Sequence, residues 1–361
     1  MDTSTHFAQS YAEARAKFIA AAEATGLDVE SHLHPLRGRD GEVLAMDVVL
    51  DGAGDAARLL IVSSACHGVE GFCGSGIQTA LLHDAAWRRM AQDVGVAVLY
   101  IHGLNPYGFS WWRRTTQENV DLNRNFRDFS KPPAPNPGYE ELAHALVPPH
   151  WPPRPEDQAV LGAYAARHGP RGLQQAITAG QSTDPEGLFY AGRNPTWSHQ
   201  TLRQVLREHA TRCARLGWID LHTGLGPSGH GERIFAGHEH DAAGLARAVD
   251  WWGRGVTSIY DGSSSAALID GEIWRSAYED CPQALYTGIA LEYGTVPLEE
   301  TLLALRADQW LENHPEAPPA QQAQIKRQVR DAFYTDDDGW KRQVVEQAVE
   351  AVHQALRGLC A

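Results

Sequence analysis

Of the 17 histidines in this 361-residue chain, only His67 is followed by a glutamate three residues later. In His67-Gly68-Val69-Glu70 an imidazole and a carboxylate can point at one ion if the backbone between them turns tightly. Gly68 and Gly71 are expected to allow that turn. Zinc accepts imidazole nitrogen and carboxylate oxygen, and a catalytic zinc site keeps one position for water. A third ligand is needed, and Trp218-Ile219-Asp220-Leu221-His222-Thr223-Gly224 places a histidine at the end of an apolar run. Glu292 ends another run, Gly288 to Tyr293, where a buried carboxylate is costly unless it has a purpose. Alone, His222 reads as an ordinary strand-end histidine and Glu292 as a paired buried acid. With the His-x-x-Glu pair they point to one metal site beside a spare carboxylate.

Other clusters carry less. The reversed pairs Glu141/His144 and Glu350/His353 fall on helical stretches with no strand end nearby and read as solvated side chains. His230, Glu232, His238, Glu239 and His240 resemble a second metal cluster, but 238–240 is expected to begin the helix containing Leu245-Ala246-Arg247, at a solvated end. Ser63-Ser64 and Ser263-Ser264-Ser265 lack the Gly-x-Ser-x-Gly elbow of a serine hydrolase. No Gly-x-Gly-x-x-Gly follows the first buried strand to suggest a dinucleotide site.

The elements that must hold these residues are legible as periodicity and punctuation. A helix is expected over 4–25, with Ser4 or Thr5 as N-cap and Gly26 as its stop. Two extended stretches, about 28–35 and 43–50, flank Asp40-Gly41 and read as a hairpin. The run Leu59 to Ala65 is a buried strand that ends at His67. The Gly-rich segment to Gly76, a helix over about 77–92 and the strand Val94 to Ile101 complete a βαβ unit, so a mainly parallel sheet is expected. Trp218 to Leu221 and Ala284 to Tyr293 are further buried strands, and the edge at their C-terminal ends is where open α/β sheets bind ligands. The prolines between 130 and 156 mark a loop insertion over about 128–200, expected to wall the site. The segment 298–361 is helical, broken by Pro315, Pro318-Pro319 and the 335–339 turn. The fold class is thus α/β: three layers, α/β/α, around a mixed, mainly parallel sheet, forming a single domain over 1–361.

Composition narrows the function classes. Hydrophobic residues make up 43% and charged residues 21%, as in a soluble globular chain with a sizeable core. A net charge of −14 argues against a general nucleic-acid binder. Five cysteines without regular spacing read as reduced thiols. No membrane-length apolar segment is present, and the N-terminus lacks a basic stretch followed by an apolar run, so no leader and a cytoplasmic location are expected.

The motifs, in order, resemble a known family. His67-x-x-Glu70, Asn105-Pro106-Tyr107-Gly108-Phe109, Trp112-Arg113-Arg114-Thr115, the run Asn119 to Phe126 (NVDLNRNF), Asp220-Leu221-His222 and Leu291-Glu292 look like the M14 zinc carboxypeptidases, and more closely their DUF2817 branch, over about 55–295. The resemblance implies one zinc per chain on His67, Glu70 and His222, with Glu292 as general base. It implies that Arg113 stabilises the oxyanion, and that Asn123 and Arg124 bind a substrate carboxylate; Arg114 can exchange roles with Arg113. The family's mobile tyrosine has three candidates, Tyr260, Tyr278 and Tyr286. The implied activity is hydrolysis of a peptide or N-acyl amino acid bond in a small molecule or short peptide, with no nucleic-acid or membrane partner and the oligomeric state open. The alternatives are an aspartoacylase-like amidohydrolase or esterase, and a non-catalytic binding protein of the same fold.

Overall fold

A computed structural model describes residues 3–361; Met1 and Asp2, part of the stretch read for a leader, lie outside it. The chain forms strands β1 (Glu30–Arg37), β2 (Val43–Asp51), β3 (Arg58–Ser64), β4 (Val96–His102), β5 (Arg215–Ser228), β6 (Gly231–Phe235), β7 (Val256–Thr257) and β8 (Leu285–Gly294). Its α-helices are α1 (Tyr11–Ala24), α2 (Gly71–His83), α3 (Ala85–Asp93), α4 (Pro106–Trp111), α5 (Pro137–Leu146), α6 (Pro155–Thr178), α7 (Trp197–His209), α8 (Ala242–Trp252), α9 (Arg275–Asp280), α10 (Leu298–Asn313), α11 (Pro319–Phe333) and α12 (Asp338–Cys360).

The strands make one mixed sheet in the order β1-β2-β4-β3-β5-β8-β6-β7. Its centre, β4-β3-β5-β8, is parallel, while the β1–β2 hairpin and the β6–β8 pair are antiparallel. Central strands are buried on both faces, which is why they read as unbroken apolar runs. One face packs on α1, α2, α8 and α12 through residues such as Phe18, Leu81, Trp252 and Val352. The other packs on α7 and α9 through Leu202, Leu206 and Ala277. A third core, containing Tyr139, Ile177, Leu305 and Phe333, joins α5, α6, α10 and α11. No helix among the described residues is long and apolar enough to cross a membrane.

Several boundaries differ from the sequence reading for local reasons. The first helix begins at Tyr11, because Ser10 rather than Ser4 or Thr5 accepts from the Glu13 amide; Thr3–His6 is a separate turn. The helix expected over 77–92 is two helices, since Asp84 caps a new start by accepting from the Ala86 and Trp87 amides. The Gly-rich segment is itself helical from Gly71. The segment 128–200, expected as a loop, holds α5, α6 and the start of α7. Pro137 and Pro155 stand in the first turns of α5 and α6, where a missing N–H costs nothing. Gly169, at φ 74°, breaks α6 just before Pro170.

Candidate metal centre and active site

Gly68 and Gly108 explain how the first motif is held. A Cβ on Gly68 would lie 2.1 Å from the Gly108 carbonyl carbon, so the His67–Glu70 turn and α4 pack backbone against backbone. Gly71 keeps an ordinary helical φ of −57° and is needed for space, because a Cβ there would strike the Phe109 ring. Asn105 caps α4 by accepting from the Gly108 amide, which gives the Asn-Pro-Tyr-Gly-Phe stretch its structural role. The Gly68 and Val69 amides then donate to the carbonyls of Arg114 and Arg113. His222 and Glu292 are direct register partners on β5 and β8, so their side chains leave the same face of the sheet. Beyond Thr223 the register slips, and Gly224, at φ 124°, lies in a bulge before β5 pairs again at Ser228. In that bulge the Leu225 amide donates to Glu292 Oε1, 3.1 Å away.

Donor atoms of His67, Glu70 and His222 lie within 4.8 Å of one another, all buried. The two Nδ1 atoms are 3.3 Å apart, and Glu70 reaches them at 2.8 and 3.1 Å. Two ligand atoms on a tetrahedral ion at zinc–nitrogen distance are themselves roughly 3.3 Å apart, so the donor set fits a zinc-sized cation. Each imidazole is also held from behind, as ligand histidines are. His222 Nε2 meets Asp220, which accepts from Ser63 Oγ at 2.5 Å. His67 Nε2 accepts from Arg114 Nη2 at 2.7 Å, and Asp121 Oδ1 lies 3.3 Å from the same nitrogen. Burial alone would lower the His222 pKa, but Asp220 and Glu70 outweigh it and hold a proton that a bound cation would replace. Burial works to raise the Glu70 carboxyl, yet His67 and His222 keep it below the usual carboxylate range.

Two further groups have metal-like spacing. In Cys66/Asp220/His222, burial pushes the thiol up and Asp220 adds to the shift, which disfavours the thiolate a metal needs. Glu30/Glu208/His209 is a surface ion-pair cluster. His230, His238, Glu239 and His240 are exposed, and α8 starts only at Ala242, capped by Asp241. Glu232 instead accepts from Thr257, and from the Ser265 amide and hydroxyl.

The arginine pair divides. Arg114 Nε donates to Asp121 at 2.8 Å, its Nη1 lies 3.3 Å from Glu70 Oε1, and the side chain lines the cavity at the His67–Glu70–His222 group. Arg113 turns away and is buried against Asp308 and Glu312 of α10, at 3.0 and 3.2 Å. It does not line the cavity, against the expectation that it faces a reacting group; of the two arginines only Arg114 lines it. Asn123 spends Oδ1 on the Ile273 amide, and its NH2 is the end left for the cavity it lines. Arg124 donates three N–H groups to the Thr178 and Asn123 carbonyls, which leaves two of its five. Burial lowers its pKa, and nearby Glu272, itself buried, is pushed up to about 7. Glu292 is pushed up to about 8, by burial first and then by the Glu70 charge.

Sequence reading missed Asp121 and Asp220 as orienting carboxylates. Strand period offered a signal for Asp220, which sits two residues before His222 on the same face. None of Tyr260, Tyr278 and Tyr286 lines the cavity. The first two are tied to Gly237 and Asp241, and Tyr286 is buried.

A family model described as "Protein of unknown function (DUF2817)" matches residues 7–347. The chain belongs to the DUF2817 family. A search of curated proteins finds no match. Among solved structures, this DUF2817 chain is similar to carboxypeptidase A from Helicoverpa armigera, at 13% identity and TM-score 0.45, covering 90% of this chain and 74% of that one. It is similar to an aspartoacylase family protein from Mesorhizobium loti, at 16% and 0.40, covering 79% and 66%. A third is a metallo-carboxypeptidase from Burkholderia cenocepacia, at 12% and 0.38, covering 88% and 66%. At these values the likenesses assign no activity.

Proposed function

We propose that this DUF2817 protein is a zinc-dependent hydrolase that cleaves an amide bond, in a short peptide or an N-acyl amino acid, next to a free carboxylate. The observation that carries the reading is Glu292: a buried carboxyl, not needed as a ligand, beside the converging His67, Glu70 and His222 in one cavity of about 270 Å3. A binding protein has no use for that group. Two nitrogens and one oxygen suit Zn2+ better than Mg2+ or Ca2+. Zinc held there supplies Lewis-acid polarisation and lowers the pKa of water bound to it.

The chain's own groups do the rest. Glu292 takes a proton from the attacking water and delivers it to the leaving amine. Arg114 directs its guanidinium at the oxygen of the attacked carbonyl, where negative charge develops. Arg124 and the Asn123 amide fix the carboxylate, and a planar guanidinium suits that anion. Glu292→Gln tests the reading against Glu70→Gln. The amide is nearly isosteric and cannot accept the proton, so Glu292→Gln keeps its metal and loses about 10²–10⁴-fold in turnover. Glu70→Gln loses metal first, because a neutral amide is a poorer ligand. Metal analysis and turnover on both variants decide; a fully active Glu292→Gln contradicts the assignment.

A further inference from the structure

The cavity has one charged wall and one larger uncharged wall. The uncharged wall consists of Leu173 and Ile177 of α6, Ile269 and Trp274 of the stretch 258–274, and Ala290 with its register partner Ile234 on the sheet. Ala290 precedes Glu292 by two residues on β8, so this wall starts beside the candidate base. The same two segments hold Arg124. Its guanidinium donates to the Thr178 carbonyl at the end of α6, and a Cβ on Gly271 would lie 2.4 Å from the Arg124 carbonyl oxygen. A carboxylate bound by Arg124 therefore carries its neighbouring substituent onto this wall. The wall is fastened from outside: Arg171 donates to the carbonyls of Ser264, Ser265 and Ala266, and Gln175 exchanges hydrogen bonds with the Leu268 backbone.

Charge decides what the wall accepts. Among the described residues lining the cavity, those with charge outside the His67–Glu70–His222–Glu292 group are Arg114, Arg124 and Glu299. Arg114 stands on the charged wall, donating to Asp121, Glu70 and His67 and assigned to the attacked carbonyl, and Glu299 is solvent-exposed. A second carboxylate or an ammonium on the substituent would lose its water against this wall without a partner.

We propose that the substrate carries one free carboxylate with a bulky apolar side chain beside it, such as a C-terminal leucine or phenylalanine or the N-acyl derivative of either, and that α6 and the stretch 258–274 determine that choice. The identity of the bond cleaved rests on the hydrolase reading; the side-chain preference has a readout of its own. Calorimetric titration of the zinc-loaded full chain with N-acetyl-leucine, -phenylalanine, -glycine, -aspartate and -lysine is expected to show the first two binding about 10- to 100-fold tighter than the others. Ile269→Asp, at a partly exposed position, is expected to abolish the leucine preference and to improve N-acetyl-lysine binding about 10-fold. Leu268→Asp next to it is exposed and outside the lining, and is expected to keep the wild-type order. An apolar preference with no amide turnover would support the pocket assignment while counting against the hydrolase reading. Equal or absent binding of the five probes, a preference for aspartate or lysine, or an unchanged Ile269→Asp would overturn the proposal.

Discussion

Arg113 and Arg114 are adjacent, yet one belongs to the scaffold and the other to the cavity. Both lend backbone carbonyls to the His67–Glu70 turn, and their side chains then part, toward α10 and toward Glu70. Arg113→Ala leaves Asp308 buried with Lys326 as its remaining cation and is expected to cost about 3–5 kcal/mol, measured by urea unfolding, with turnover per folded molecule kept. Arg114→Ala is expected to fold and to lose about 10²–10³-fold in kcat/KM, as when one oxyanion donor is removed. The reverse pattern would return Arg113 to the reaction. At this scale, residue type and strand ends marked His67, Glu70, His222 and Glu292 as a set, because strand ends converge wherever parallel strands are neighbours. Neither type nor spacing could separate the two arginines. Their partners lie on remote elements: Asp308 is nearly two hundred positions away, and Asp121 draws Arg114 inward only once the chain has folded.

Elements were legible where burial was two-sided. β3, β4, β5 and β8 showed as apolar runs, and Gly26, at φ 75°, stopped the first helix. The insertion was not legible, because proline marks both a loop and the first turn of a helix, and only the following residues' packing distinguishes them. The third core supplies that packing, with Leu142, Leu161 and Ile177 meeting α10 and α11. The consequence is a wall made of helix rather than loop, latched through Arg171. Arg171→Ala is expected to speed hydrogen–deuterium exchange in 170–178 and 258–271 while leaving β5 and β8 unchanged, and to raise KM more than it lowers kcat. Uniform exchange across the chain before and after the change would show that the latch holds nothing.

At the scale of the whole molecule, the sheet order does the assembling. β3 and β8 both flank β5, so the turn after β3, the end of β5 and the end of β8 open onto one edge. Helices on both faces bury the rest, and α5, α6, α10 and α11 close over that edge. Three side chains from two distant stretches thereby form one donor set, and its claim to a metal can be read without knowing the substrate. The most direct measurement is the metal content of the full chain purified without added metal, beside a His67→Ala/His222→Ala variant, with thermal unfolding before and after chelation. The account predicts one zinc per wild-type chain, little or none in the variant, and a lower Tm for the wild type once zinc is removed, since a ligand that binds only the folded state stabilises it. A wild-type chain that holds no zinc yet hydrolyses its substrate at full rate, or a double variant that holds zinc as tightly as the wild type, would contradict it.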